Sequence, residues 1–281
     1  MTEDHALARD LAEEAGRRLI ELRAHGGDPD LLRKAGDRLS HEFLTAELAV
    51  RRPGDVVLSE EGADHPARLS ARRVWIVDPL DGTREFGEPG RTDWAVHVAL
   101  WERSAANLTA GAVALPAQDM VLSTAAAGQR HQCSIDAAIA TPMLHRGGGG
   151  TPGDGEDDTA GPGETSGRIR IVVSRSRPPG FVRNISDLID AELVSLGSAG
   201  AKVAAVIGGD ADAYVHGGGF YEWDTAAPVA VARAAGFHTS RIDGSPLAYN
   251  QADLLMPDIL VCRPGLALPL LQAIREVTHA P

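Results

Sequence analysis

Cysteine is almost missing from this 281-residue chain: Cys133 and Cys262 lie far apart, and neither has a second cysteine nearby. A Cys-x-x-Cys zinc site or redox dithiol is excluded, and a reducing, cytoplasmic setting is expected. Long apolar runs are missing as well. No stretch approaches the roughly 20 residues needed to cross a bilayer, and the opening Thr2-Glu3-Asp4 lacks the positive charge of an export signal. Positive charge is in deficit overall, with a formal net charge of -12. Nucleic-acid backbones and anionic membrane surfaces are bound through clustered Lys and Arg, so neither is an expected partner. A small anion remains a fitting ligand if metal ions, backbone N–H groups or a few arginines concentrate positive charge locally. Lysine itself is nearly absent; of 27 basic residues all but Lys34 and Lys202 are arginine.

What is present is the make-up of an ordinary globular protein, 43% apolar and 23% charged. Leu7, Leu11, Ala15, Leu19 and Leu22 recur at three- and four-residue spacing, which predicts a helix from Glu3 to about Ala24. A second helical pattern, Phe43, Leu44, Leu48 and Ala49, follows Asp37 and Ser40, either of which could cap it, and Pro53-Gly54 closes it. Short strand patterns then fall at 56–58, 74–77, 94–100, 110–115 and 120–123. Val74-Trp75-Ile76-Val77 is continuously apolar and ends in a charged turn, the pattern of a buried central strand that delivers residues at its carboxyl end.

Residues 141–167 are rich in Gly, Asp and Pro and read as a flexible loop without the Gly-Lys-Ser/Thr of a nucleotide-binding P-loop. Strands at 170–173, 192–196, 213–216 and 259–262 then alternate with helices near 181–189, 201–207 and 225–235 and from 266 onward. The chain thus reads as an N-terminal α+β part, 1–140, a linker, 141–167, and a C-terminal α/β part, 168–281.

The strongest chemical signal is Asp78-Pro79-Leu80-Asp81-Gly82-Thr83. Two carboxylates three residues apart, bent toward each other by the proline, suit hard divalent cations such as Mg²⁺, which take oxygen ligands. If Thr83 opens a helix, the N–H groups of Gly82 and Thr83 make a phosphate seat beside the metals. An Asp-Pro turn followed by an Asp-Gly turn is the structural alternative. Asp-Gly-Thr also occurs in phosphatases that form a covalent aspartyl-phosphate, but their attacking Asp would fall on Pro79, so direct attack by metal-activated water is the expected route. Ser59-Glu60-Glu61 offers a further carboxylate, as does Asp224, an Asp placed where a helix cap would stand.

Taken in order, Ser-Glu-Glu, Trp-Ile-Val-Asp-Pro-Leu-Asp-Gly-Thr and Glu-Trp-Asp-Thr-Ala-Ala-Pro resemble the signature series of the inositol monophosphatase superfamily over nearly the whole chain. The resemblance implies an α+β fold layered as an αβαβα sandwich, with two or three Mg²⁺ ions between the halves. It implies Glu60, Asp78, Asp81 and Asp224 as metal-binding carboxylates, with Leu80 giving its carbonyl. Thr83 would orient the attacking water, and Gly82 and Thr83 would hold the phosphate. The family's acidic partner of that threonine falls on Phe43 here, leaving Asp37 or Glu42 as the substitute.

Three C-terminal segments resemble the CysQ type, which removes the 3′-phosphate of 3′-phosphoadenosine 5′-phosphate to give AMP, and of its 5′-phosphosulfate analogue. They are Ser174-Arg175-Ser176-Arg177, Gly197-Ser198-Ala199-Gly200-Ala201-Lys202 and Tyr221-Glu222-Trp223-Asp224. The resemblance places Ser174, Arg175, Arg177, Ser198, Lys202 and Asp224 around the nucleotide, the basic groups meeting its second phosphate. Inositol monophosphate and fructose 1,6-bisphosphate are alternative substrates within the superfamily, and a catalytically silent sensor of phosphometabolites is the alternative of another class. A homodimer is expected from the resemblance alone. His97, His131 and His216 show no metal-ligand spacing and are assigned no role.

Overall fold

The four-residue recurrence of Leu7, Leu11, Ala15 and Leu19 buries one stripe of α1 (Thr2–Ala24) against a sheet and against α2 (Pro29–Arg51). In the computed structural model, which describes residues 2–125, 167–176 and 178–278 and only the backbone of Thr2, α2 begins earlier than expected. Asp28 caps it by accepting the N–H groups of Asp30 and Leu31, with Pro29 at the first helical position. Asp37 and Ser40 are therefore mid-helix residues, not caps. Gly36 explains what that achieves. A Cβ there would lie 2.8 Å from the Phe86 ring and 3.0 Å from Leu80, so the bare backbone lets α2 close onto the Asp-Pro-Leu-Asp segment.

The first sheet runs β1 (Val56–Ser59), β2 (Arg73–Asp81), β3 (Ala95–Glu102), β4 (Asn107–Leu115), β5 (Met120–Ser123), with only β1 and β2 parallel. Strand β2 is apolar throughout its middle because both of its faces are covered. Trp75 and Val77 enter the core made with α1 and α2, while Val74 and Ile76 enter a second core on the opposite face.

That second core is shared with α5 (Ala199–Gly208) and α6 (Glu222–Ala234), which separate the first sheet from another five-stranded one. The second sheet has the order β10 (His238–Ser240), β12 (Ile259–Cys262), β8 (Ala213–His216), β6 (Arg170–Ser174), β7 (Glu192–Leu196). Its β6 is parallel to β7 and β8, and β12 is antiparallel to β8 and β10. Its outer face is closed by α4 (Gly180–Leu188) and α7 (Ala267–Thr278) through Val182, Ile185, Leu270 and Ile274. A two-stranded ribbon, β9 (Phe220–Tyr221) with β11 (Leu255–Met256), leads into α6. The layers are thus α1/α2, sheet, α5/α6, sheet, α4/α7, the αβαβα order expected. Of the expected linker only Gly167 is described; the rest of it, Cys133, His131 and Arg177 lie outside the described residues. Among the described helices none is long and apolar enough to cross a membrane.

Candidate active site

The Asp-Pro-Leu-Asp segment does not follow the central strand; it is the last part of it. Asp78 pairs with His97 and Asp81 with Ala95, so three steps along β2 match two along β3. In a regular strand residues three apart face opposite ways, and the extra residue of this bulge restores them to one face. Leu80 points into the α1/α2 core as Val77 does, and Asp78 and Asp81 both point toward α5 and α6. There they meet Asp224 from the first turn of α6, and one ligand oxygen from each of the three carboxylates lies within 4.8 Å of the others.

Burial makes this arrangement costly without a cation. Asp78 is fully buried; its Oδ1 accepts the Leu80 N–H at 3.0 Å, and its Oδ2 has no hydrogen-bond partner. Burial, then the charges of Glu60, Asp81 and Asp224, hold the Asp78 carboxyl well above the ordinary range. Glu60 emerges just after β1 with much of the residue exposed, yet its carboxyl is pushed up to about 8, first by loss of water and then by Asp224. An orphaned buried oxygen among converging carboxylates suits a hard divalent cation, which would replace the missing partner. The donor set present therefore fits such ions.

Gly82 follows in a left-handed conformation (φ 84°) that favours glycine, and Thr83 opens the five-residue α3 (Thr83–Gly87). The Thr83 hydroxyl lies 3.0 Å from the Leu80 carbonyl and 3.3 Å from Asp37 Oδ1, with a single proton to donate. Burial and the neighbouring Glu61 charge raise Asp37 to about 6. Glu42 lies on the exposed side of α2, and among the described contacts none joins its carboxylate to Thr83. Of the two acidic candidates, Asp37 is the one brought to the threonine, because one helix cannot present residues five apart on the same face.

The second half closes on this centre through α5. Ser198 caps that helix by accepting the Ala201 N–H, and its Cβ lies 3.1 Å from where a Gly82 Cβ would stand. The Gly200 N–H donates to Asp81 Oδ2 at 2.9 Å, so α5 also supplies a hydrogen-bond donor to the acidic cluster. Ser174 ends β6, buried. Arg175 differs from expectation. Its guanidinium forks onto Glu85 at 2.6 Å and Glu88 at 2.9 Å, tying β6 to α3, so it is committed to carboxylates instead of open to a second phosphate. Lys202 is buried and donates to the Gly197 carbonyl. Burial lowers its pKa, while Asp81, Glu85, Asp224 and Asp93 pull it back up.

Several residues here were not flagged by sequence. His97 is wholly buried, its Nδ1 3.2 Å from the Trp223 carbonyl and its Nε2 3.2 Å from Asp81 Oδ2. It has no motif of its own, but it is the β3 partner of Asp78 in the sheet register, a signal visible only once pairing is known. Asp93 is held by Arg91, accepts the Gly197 N–H at 2.6 Å and uses its own carbonyl to accept from Ser198 N, docking the segment before β3 onto the Gly-Ser-Ala-Gly turn.

A layered sandwich with an acidic cluster between its halves, beside a glycine-threonine helix start, is an arrangement able to hold a cation next to a phosphate. The chain belongs to the inositol monophosphatase family, whose model matches residues 4–278. It is 48% identical to the 3′-phosphoadenosine 5′-phosphate phosphatase of Mycobacterium leprae, over 98% of this chain and 94% of that protein. It is 30% identical to the 3′(2′),5′-bisphosphate nucleotidase CysQ of Escherichia coli K12, over 85% and 91%. Among solved structures, CysQ from Bacteroides thetaiotaomicron superposes with a TM-score of 0.69 at 28% identity, covering 94% of this chain and 98% of that one. Inositol monophosphatase II from Staphylococcus aureus, with a TM-score of 0.74 at 22% identity, shows the same fold over 100% and 98%. The chain is accordingly an enzyme of the phosphatase class.

Proposed function

We propose that this enzyme hydrolyses the 3′-phosphate of 3′-phosphoadenosine 5′-phosphate, giving AMP and phosphate, in a Mg²⁺-dependent reaction. The observation that carries the reading is the meeting of Asp78, Asp81 and Asp224 around a buried oxygen with no partner, beside the Gly82-Thr83 turn. The names of the relatives that cover nearly all of the chain supply the substrate. When bound, divalent cations on Glu60, Asp78, Asp81, Asp224 and the Leu80 carbonyl would neutralise phosphate charge and acidify the attacking water.

The chain's own residues do the rest. Gly82 and Thr83 offer backbone N–H groups to the phosphoryl oxygens, with the positive end of the short helix behind them. Thr83 holds the water through its hydroxyl and passes a proton toward Asp37, whose carboxyl is poised near 6. Ser174, at the end of β6, and Ser198, capping α5, border the nucleotide side from the second half, and Asp224 would serve both the cations and the substrate. Since Arg175 and Lys202 are engaged within the protein, contact with the 5′-phosphate falls to Arg177 or requires Arg175 to release Glu88.

Phosphate release from the adenosine bisphosphate, inositol monophosphate and fructose 1,6-bisphosphate tests the proposal. The expected result is the highest kcat/KM for the adenosine compound and none without Mg²⁺. Equal or higher kcat/KM on either other substrate would reassign it within the family. Phosphate release undiminished by chelator would remove the metal reading.

A further inference from the structure

The two ends of the candidate metal centre belong to distant parts of the chain, Glu60 to the β1–β2 connection and Asp224 to the start of α6. A buried polar network joins these two parts, and the hydrolytic reading leaves it unused. Arg68, in the short helical turn Pro66–Leu69 of that connection, is 1% exposed. A buried guanidinium is tolerated only with its donors satisfied, and Arg68 sends Nε to Asp64 at 2.6 Å and Nη1 to the Asn250 side-chain oxygen at 2.9 Å. Asn250 answers with Nδ2 to the Arg68 carbonyl at 3.1 Å.

Asn250 adopts a left-handed conformation (φ 59°), uncommon for a residue with a side chain but tolerated by asparagine. That turn aims its N–H at Glu222 Oε2, 2.6 Å away, while the Gln251 N–H meets Oε1 at 2.7 Å. Glu222 is the first residue of α6, two before Asp224, and is 0% exposed. A glutamate opening a helix ordinarily faces solvent or the helix's own N–H groups. This one is turned inward onto a loop that Arg68 and Asn250 hydrogen-bond to the β1–β2 connection.

We propose that Arg68, Asn250 and Glu222 form a positioning brace that clamps the connection carrying Glu60 onto the helix start carrying Asp224, and so sets the affinity of the centre for divalent cations. The inference rests on the metal-centre reading above. Hydrogen-bonded groups behind metal ligands typically control affinity by about 10- to 100-fold, and a brace spanning both sides of the centre belongs in that range.

The test compares the wild-type protein with Arg68→Met, Arg68→Lys, Asn250→Ala and Glu222→Gln. Binding of Mg²⁺ and Mn²⁺ alone is measured by titration calorimetry, alongside thermal melting and activity as a function of Mg²⁺. The expected result is a metal dissociation constant raised about 10-fold or more in Arg68→Met and Asn250→Ala. Their kcat at saturating metal should stay within a few fold of wild type, with partial recovery in Arg68→Lys. Unchanged metal affinity in variants whose melting temperature falls would overturn the proposal, leaving a network that serves folding only. Glu222→Gln keeps the shape but only one of the two N–H contacts, since its NH2 would face the other donor, so it decides the matter should Arg68→Met fail to fold; wild-type affinity there together with wild-type affinity in Asn250→Ala counts against the brace. A wild-type protein that binds neither ion would instead sink the metal reading itself.

Discussion

Replacing Asp78 by Asn should make the metal-free protein more stable and the metal-loaded protein no better for it. In the wild type, Asp78 shares a space with Asp81 and Asp224 in which ligand oxygens lie within 4.8 Å of one another. At an effective dielectric constant of 20, two unit charges at that distance repel by about 3.5 kcal/mol. Asp78 escapes part of that cost by keeping its proton, so the recoverable share is smaller, and about 2 kcal/mol is a reasonable expectation. The amide retains an oxygen for the Leu80 N–H, so the strand geometry survives. For a chain of this size about 2 kcal/mol corresponds to a rise of roughly 4–8 °C in melting temperature in the presence of a chelator.

Magnesium should then act unequally on the two proteins. A cation present at about 100 times its dissociation constant adds about 2.7 kcal/mol to the folded wild type. The variant, short of one anionic ligand at the most buried position, should gain little and should not turn over substrate. Scanning calorimetry of both proteins in chelator and in Mg²⁺ reads all four values. An Asn variant that melts lower than wild type in chelator, yet rises by the same amount on adding Mg²⁺, would refute the argument that Asp78 is a strained cation ligand.

Thr83→Ala should fold normally but lose about 100-fold or more in kcat, the usual share of a positioned proton acceptor, with Thr83→Ser recovering part of it; a stopped phosphate assay checks this. Because Asp37 must be deprotonated to accept from Thr83, activity should be present above pH about 6 and lost as pH falls through it, or lower still once cations depress the carboxyl. Asp37→Asn should remove that limb of the pH–rate profile. Glu222 is raised to about 7 by burial, from 4.5 in the unfolded chain, so its contribution to metal-free stability is present below 4.5 and fades as pH rises through 7. The loss amounts to about 3 kcal/mol and should be missing in denaturant titrations of Glu222→Gln across that window. At Gly200 a Cβ would lie 2.3 Å from His97 Nε2 and 2.9 Å from Ala95 and Val113, so Gly200→Ala should cost about 1–3 kcal/mol and disturb the N–H that serves Asp81.

The sequence by itself determined much of the helix and strand pattern, because the periodicity that buries α1 and the continuous apolarity of Val74–Val77 are local consequences of where water is excluded, while the αβαβα layering was legible only through the family resemblance. It also supplied Asp78, Asp81, Gly82 and Thr83, whose spacing is short enough for local geometry to bring them together. The tertiary structure alone decided which face those carboxylates take, since a single bulge against β3 reverses the ordinary alternation. Only packing could choose Asp37 over Glu42, because the choice depends on where α2 starts and how closely Gly36 lets it approach. Arg175 and Lys202 show the converse. Their charge was legible, but partners distant in sequence or held in a turn committed them to Glu85, Glu88 and Gly197. His97, Arg68 and Asn250 carry no sequence signal at all, and Glu222 stands inside a motif that does not tell its partners, because a buried polar group acquires its meaning from neighbours that the chain brings in from elsewhere.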